Sequence, residues 1–225
     1  MPLKLSVLIP AYNEGDTIAE SVRAVQALGI DAEIIVIDDG SGDGTGEIAE
    51  RIPGVRVIRH ATRRGKGRAI RTALPQVTGQ VVVIHDGDLE YDARDLPSML
   101  RVIESGEAGV VYGSRFRGEM RGMRLPNLII NKILVWLANL LYGARISDEA
   151  TCYKMFRTEL LRSLPLRCEG FEFCPEVTAK IAKRGRPIAE VPIRYRARTR
   201  KSGKKIKWTD GLIAIWTLIR ERFTR

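Results

Sequence analysis

The chain predicts an α/β fold with a mostly parallel central sheet and helices on both faces. Two observations carry this. Strand-like and helix-like segments alternate along the first half, and the strands are near-continuous Val/Ile runs, as strands buried on both faces must be. A third observation points to function. Polar or acidic clusters close three strands, Asn13-Glu14, Asp38-Asp39 and Asp86-Gly87-Asp88, and open parallel sheets bind ligands at such ends.

The elements follow in order. The pattern predicts a strand over 5–9 ended by Pro10, then a helix over 16–28 with Ile18, Val22, Val25 and Leu28 on one face, stopped at Gly29. Next come a strand over 33–37, a short helix over 45–52 and a strand over 55–59. A helix over 65–77, interrupted late by Pro75, leads to a strand over 81–85, a helix over 95–105 and a strand over 110–114. The second half predicts helices over 126–142 and 172–183, and an extended strand over 187–195. An amphipathic helix over 206–223 sets Trp208, Leu212, Ile215, Trp216 and Ile219 against Lys207, Asp210, Arg220 and Arg222. Asn131, Lys132 and Asn139 interrupt the apolar run of helix 126–142, so no stretch is expected to reach the ~20 residues of a membrane span. With no repeat, low-complexity tract or linker, a single domain over 1–225 is expected, its C-terminal helix at 206–225.

Composition narrows the class. A length of 225 residues suits one domain, and 44% hydrophobic with 28% charged residues excludes a disordered chain. Cys152, Cys168 and Cys174 form no Cys-x-x-Cys pair and read as reduced thiols of a cytosolic protein. The N-terminus runs directly into the first strand and is too soon interrupted for a signal peptide. The net charge of +10 is concentrated: Arg194, Arg196, Arg198, Arg200, Lys201, Lys204, Lys205 and Lys207 occur with no acid among them. Such a cluster meets a polyanion, whether phosphate, lipid headgroup or nucleic acid, or else is a solvated loop.

Asp86 and Asp88 stand at the end of a buried strand with one glycine between them, and a hard divalent cation holding a diphosphate would satisfy both. Taken alone the tripeptide also fits a polar turn. Val7-Leu8-Ile9-Pro10-Ala11-Tyr12-Asn13-Glu14 offers a proline, an aromatic face and a carboxylate that could cradle a nucleobase. The carboxylates of Asp38-Asp39-Gly40-Ser41 are acceptors suited to a base N–H and ribose hydroxyls. Arg63-Arg64-Gly65-Lys66-Gly67-Arg68 lacks Walker spacing, and no Gly-x-Gly-x-x-Gly follows the first strand. P-loop and dinucleotide readings are excluded.

Taken together and in this order, Ile-Pro-Ala-Tyr-Asn-Glu, Asp-Asp-Gly-Ser and Asp-Gly-Asp resemble glycosyltransferase family 2, which has the GT-A fold. Gly113-Ser114-Arg115-Phe116, Ser147 to Lys154 and Glu190-Val191-Pro192-Ile193 are most similar to its polyprenyl-phosphate (dolichol-phosphate) mannose synthase branch. The resemblance implies a nucleotide-sugar half over about 1–115 and an acceptor half over about 116–205. It implies that Pro10, Tyr12, Glu14, Ile37 and Asp39 surround the nucleoside, with Lys66 also on the donor. Asp86, Asp88 and Glu90 would hold Mg²⁺ or Mn²⁺ and the diphosphate, and Arg115 and Arg198 would meet phosphates. Thr151-Cys152-Tyr153 stands where the branch has Ser-Gly-Phe, and the basic stretch from Arg198 to Lys205 is longer than usual.

The activity this implies is inverting transfer of a hexose, mannose or glucose, from a GDP- or UDP-sugar. A hydroxyl acceptor would need a general base, for which Asp148 or Glu149 is the candidate. A polyprenyl phosphate, with a second pKa of about 6, needs a cationic cradle instead, and the basic cluster fits that case better. The expected site is then the cytoplasmic face of a membrane, held by the helices bearing Trp136, Trp208 and Trp216 and by the basic residues, or by a membrane partner. A family 2 enzyme acting on a saccharide or other hydroxyl is the alternative. Nucleic acid is not expected as a partner, because three carboxylate clusters on one edge would repel it.

Overall fold

The structure is a computed structural model that describes residues 3–198 and 208–224. Arg200, Lys201, Lys204, Lys205 and Lys207 of the basic cluster, and Ile206 at the expected start of the last helix, lie outside the described residues. The elements run β1 (Leu5–Ala11), α1 (Ile18–Gln26), β2 (Ala32–Asp38), α2 (Thr45–Glu50), β3 (Val55–Arg59), α3 (Lys66–Ala73), β4 (Val81–Ile84) and α4 (Leu96–Glu104). They continue β5 (Val110–Arg121), α5 (Leu125–Tyr142), β6 (Lys154–Arg157), α6 (Thr158–Arg162), α7 (Phe173–Lys183), β7 (Ala189–Arg196) and α8 (Trp208–Phe223).

The seven strands form one sheet in the order β3-β2-β1-β4-β6-β5-β7. Pairing is parallel except at β6, which runs antiparallel to β4 and to β5. Alternate strand residues feed two apolar layers. Leu8, Ile35, Val82 and Tyr112 pack with α3, α5, α6, α7 and α8. Val7, Val36, Val83 and Val111 pack against α1, α2 and α4 on the other face. The mostly parallel, two-faced arrangement is the one the alternating pattern predicts.

Several boundaries differ, each for a physical reason. Strand β1 continues through Pro10 to Ala11. Leu8 O and His85 N–H bond on the β4 side, whereas Ala11 O and Asp39 N–H bond on the β2 side. The missing Pro10 donor therefore falls toward β4, which pairs only as far as Leu8. Helix α3 ends at Ala73 and tightens into a 3-10 turn over Leu74–Gln76 that accommodates Pro75. Strand β5 runs seven residues beyond the expected Ser114, with a register shift between Ser114 and Glu119 where it pairs with β7. Gly118 permits this: a Cβ there would stand 2.1 Å from Ile193 O.

Strand β6 and helix α6 have no counterpart in the expected elements. Helix α5 also differs from the expectation. Its 18 residues are long and apolar enough, by length and composition, to cross a membrane, and most of them are not buried. Asn131 and Asn139, expected to break its apolar run, face inward: Asn131 is buried, and Asn139 exchanges hydrogen bonds with the Ile146 backbone (2.9 Å each). Cys152, Cys168 and Cys174 are all free thiols.

Candidate active site

The chain leaves β1 for β2 on one side and returns to β4 on the other, so the crevice above these strands is a topological switch point. A cavity of about 970 Å³ opens there. Pro10, Tyr12, Glu14, Asp39, Lys66, Asp86, Asp88, Glu90, Arg115 and Arg198 all line it. Two expected site residues do not. Ile37 is fully buried in the sheet core, and Asp148 is fully buried behind Arg115.

The carboxylates differ in environment. The Lys66 ammonium lies 2.5 Å from Asp86 Oδ1; burial opposes the charged form, but Lys66 holds Asp86 below the usual carboxylate range. Among the described residues Asp88 has no such partner. Burial, then repulsion from Asp86 and Glu90, pushes it up to about 7. Its Oδ1 accepts the Glu90 N–H at 3.0 Å across Leu89, which sits at φ 60°, a conformation costly for a leucine. Gly87 leaves space for α1: a Cβ there would stand 3.2 Å from the Ile18 side chain. Beneath this turn His85 bridges the Ser21 hydroxyl (3.0 Å) and the Tyr153 hydroxyl (2.8 Å), and burial drives it down to about 4, leaving a neutral ring.

Arg115 is fixed from behind. Its Nε and terminal nitrogen donate to the two Asp148 oxygens (2.8 Å each), its backbone N–H donates to Oδ2 (2.9 Å), and Asn131 Oδ1 takes a further bond (3.2 Å). This bidentate clasp aims the guanidinium and removes Asp148 from any contact with the cavity. Glu149, the other candidate base, is also fully buried. Arg198 joins the end of β7 to the crevice: its backbone N–H donates to Glu90 (2.6 Å) and its guanidinium pairs with Glu14 (2.7 Å). Tyr195 donates its hydroxyl to the other Glu90 oxygen (2.8 Å).

Some residues at the site carried no sequence signal, because their partners are distant in sequence. Cys152 Sγ accepts from Lys66 at 3.0 Å. His60, just after β3, contacts Asp39 through Nδ1 (2.7 Å), and the Arg64 and Gly65 N–H groups also donate to Asp39 (2.8 and 2.6 Å). The Gly67 and Arg68 N–H groups at the start of α3 are taken by the Gly170 and Glu169 carbonyls (3.1 and 3.0 Å). Those two N–H groups are therefore not offered to the cavity, which presents the side-chain cations of Lys66, Arg115 and Arg198 instead.

A divalent cation suits this donor set. Asp88 is a cleft carboxylate repelled by its neighbours, and a hard cation would relieve it. Among the described residues no three His, Cys, Asp or Glu groups assemble a metal site by themselves. A metal held by Asp86, Asp88 or Glu90 would complete its shell from phosphate and water, as magnesium commonly does.

A family model described as Glycosyl transferase family 2 matches residues 6–164. The chain is 31% identical over 200 residues to the low-salt glycan biosynthesis hexosyltransferase Agl6 of Haloferax volcanii, covering 86% of this chain and 48% of that protein. It is 28% identical over 214 residues to a dolichol-phosphate mannosyltransferase of Pyrococcus furiosus, covering 90% and 59%. The chain thus spans about half to three fifths of these relatives' lengths. Glucosyl-3-phosphoglycerate synthase from Mycobacterium tuberculosis, solved with Mn²⁺, UDP-glucose and phosphoglyceric acid, superposes with a TM-score of 0.76 at 25% identity, over 98% of this chain and 80% of that one. That likeness meets the GT-A expectation for the fold. With the family model spanning most of the sequence, the chain belongs to glycosyl transferase family 2.

Proposed function

We propose that the protein transfers a hexose from a nucleoside diphosphate sugar, with inversion, to a polyprenyl phosphate at the cytoplasmic face of a membrane. One observation carries the reading. The cavity that holds Asp86 and Asp88 is also lined by Trp208 and Ile213 of α8. That helix packs beside α5, and the two expose Ile129, Ile133, Trp136, Leu140, Leu212 and Trp216. An exposed apolar face of this kind marks a lipid or protein contact, and here it adjoins the donor cleft. The dolichol-phosphate relative points the same way, and the free thiols suit a reducing compartment.

In the reaction a phosphate oxygen of the acceptor attacks the anomeric carbon, and the bond to the nucleoside diphosphate breaks with its electron pair. Pro10, Tyr12 and Asp39 hold the nucleoside. Lys66 and Arg115 receive negative charge as it develops on the leaving diphosphate, which favours the transition state over bound substrate. Arg198 meets the acceptor phosphate, which needs no base at neutral pH. A divalent cation held by Asp86, Asp88 and Glu90 would supply further charge neutralisation.

The test is a radiolabelled-donor assay with polyprenyl phosphate in detergent, with Mn²⁺ or Mg²⁺ added. Label extracted into organic solvent and released by mild acid is the expected product. Water-soluble label, with none in the organic phase, would replace the lipid acceptor by a saccharide or other hydroxyl.

A further inference from the structure

We infer that the base pocket selects a uridine diphosphate sugar, and that His60 sets the selection by occupying an acceptor position on Asp39. The inference rests on the donor-cleft reading above and adds the identity of the nucleobase.

An ionised carboxylate offers about four acceptor positions, two on each oxygen. Asp39 is 4% exposed, and among the described residues three of its positions are taken. Oδ1 accepts from the Arg64 N–H (2.8 Å) and from His60 Nδ1 (2.7 Å), and Oδ2 accepts from the Gly65 N–H (2.6 Å). Because a carboxylate only accepts, His60 must present Nδ1–H, and its Nε2 meets the Thr72 hydroxyl at 3.1 Å. One acceptor position on Oδ2 remains for a ligand in the cavity that Asp39 lines.

Uracil brings one ring N–H between two carbonyls and needs one acceptor. Arg63 and Arg64, which also line the cavity, carry donors for its carbonyls. Guanine brings a ring N–H beside an amino group and needs two acceptors. Cytosine turns a ring lone pair toward the carboxylate. A site built around one hydrogen-bond pattern rejects ligands that leave a buried polar group unpaired.

The loop cannot easily retreat to offer more. A Cβ on Gly40, which sits at φ +75°, would stand 2.7 Å from the Thr62 carbonyl carbon, so residues 62–63 lie directly on the end of β2. The Arg63 guanidinium lies 4.3 Å over the Tyr12 ring. A base stacking on Tyr12 must displace it, and a single pyrimidine ring needs less displacement than a fused purine.

The test is calorimetric titration of the full chain with UDP, GDP and CDP at saturating Mn²⁺. UDP is expected to bind at least about ten-fold more tightly than either, the cost of roughly one unmade buried hydrogen bond. GDP binding as tightly as UDP would overturn the inference and leave the donor-cleft reading standing. Failure of all three to bind would overturn both. His60→Ala frees the Oδ1 position and is expected to narrow the UDP-to-GDP ratio several-fold, whereas His60→Gln, which keeps a donor, should hold it. Thr72→Val loosens the same ring without touching Asp39 and serves if His60→Ala does not fold. Uniform weakening of both nucleotides in these variants, with the ratio unchanged, would reduce His60 to loop support and overturn its assignment.

Discussion

Asp88 stands with Asp86, Glu90 and Glu14 in a cluster whose mutual repulsion, added to burial, pushes it up to about 7. Repulsion of this kind weakens the fold, and under the proposed metal assignment it would serve a ligand cation, the usual exchange of stability for function at a binding site. Asp88→Asn, measured with chelator present, is expected to melt at or above the wild-type temperature and to lose at least about two orders of magnitude in turnover, the scale of a lost charge-stabilising group. A variant that melts lower yet turns over normally would refute the assignment. Arg115 and Asp148 give a second test at this scale. The bidentate clasp is buried on both sides, so Asp148→Ala should cost about 3–5 kcal/mol, the penalty for stranding one member of a buried pair. If Asp148 acts only through Arg115, the variant assayed well below its melting temperature keeps both limbs of the wild-type pH–rate profile. Loss of the acid-side limb, where rate rises as a base deprotonates, would make Asp148 a proton acceptor after all. The convergence of Pro10, Asp39, Asp86 and Asp88 on one cavity was legible because each closes a Val/Ile strand, and strand ends converge on one edge. His60 was not, since its contact with Asp39 spans 21 residues and no local pattern announces it.

At the scale of elements, the first five strands were readable because each is a short apolar run bounded by turn residues. Strand β6 was not. Its four residues begin with Lys154, which reads as an exposed charge but is fully buried, donating to the Glu149 and Thr151 carbonyls and lying 3.9 Å over the Tyr112 ring. Tertiary contacts alone make that position a strand. Helix α7 shows a contact of another kind. Glu176 in its first turn accepts the Arg167 and Cys168 N–H groups (2.8 Å each) and pairs with Lys180, which ties the preceding loop to the helix. Burial raises its pKa, but bonds from Cys168 and Lys180 outweigh this and hold it below the usual value. A depressed carboxylate pKa gives stability that is present above about 4.5 and is lost as pH falls through the folded-state value. Melting temperature should therefore drop below about pH 4.5 in the wild type. Glu176→Gln should melt lower at pH 7 by the equivalent of about 1–3 kcal/mol, roughly 2–4 °C for each kcal/mol, with a flatter acid limb. Parallel acid limbs in the two proteins would show that other groups carry the dependence.

At the scale of the whole molecule, chemistry and the exposed apolar surface lie on one side. Helices α5 and α8 bury Leu134, Ala138, Ala214 and Leu218 against the sheet, while Trp136 and Trp216 stay 60% and 61% exposed. The arrangement has a plain energetic cost in water, since each large apolar side chain left exposed forgoes about 1.5–3 kcal/mol of burial. A lipid surface would recover part of that, and basic residues near an anionic leaflet add roughly 1 kcal/mol each. Arg117 and Arg121, exposed on the last part of β5, and Arg124, exposed just before α5, are placed to contribute. Ile129→Ser/Trp136→Ser/Trp216→Ser should therefore leave the melting temperature within a few degrees of wild type, because these side chains touch little of the core. Its partition onto vesicles containing anionic lipid should fall at least ten-fold in flotation, and raising salt should weaken wild-type binding further through the arginines. Turnover with lipid-embedded acceptor should fall in step with partition, while nucleotide affinity in solution stays unchanged. Undiminished flotation by the triple variant would move membrane attachment away from this face, and a lowered nucleotide affinity would show that α5 and α8 support the donor cleft instead.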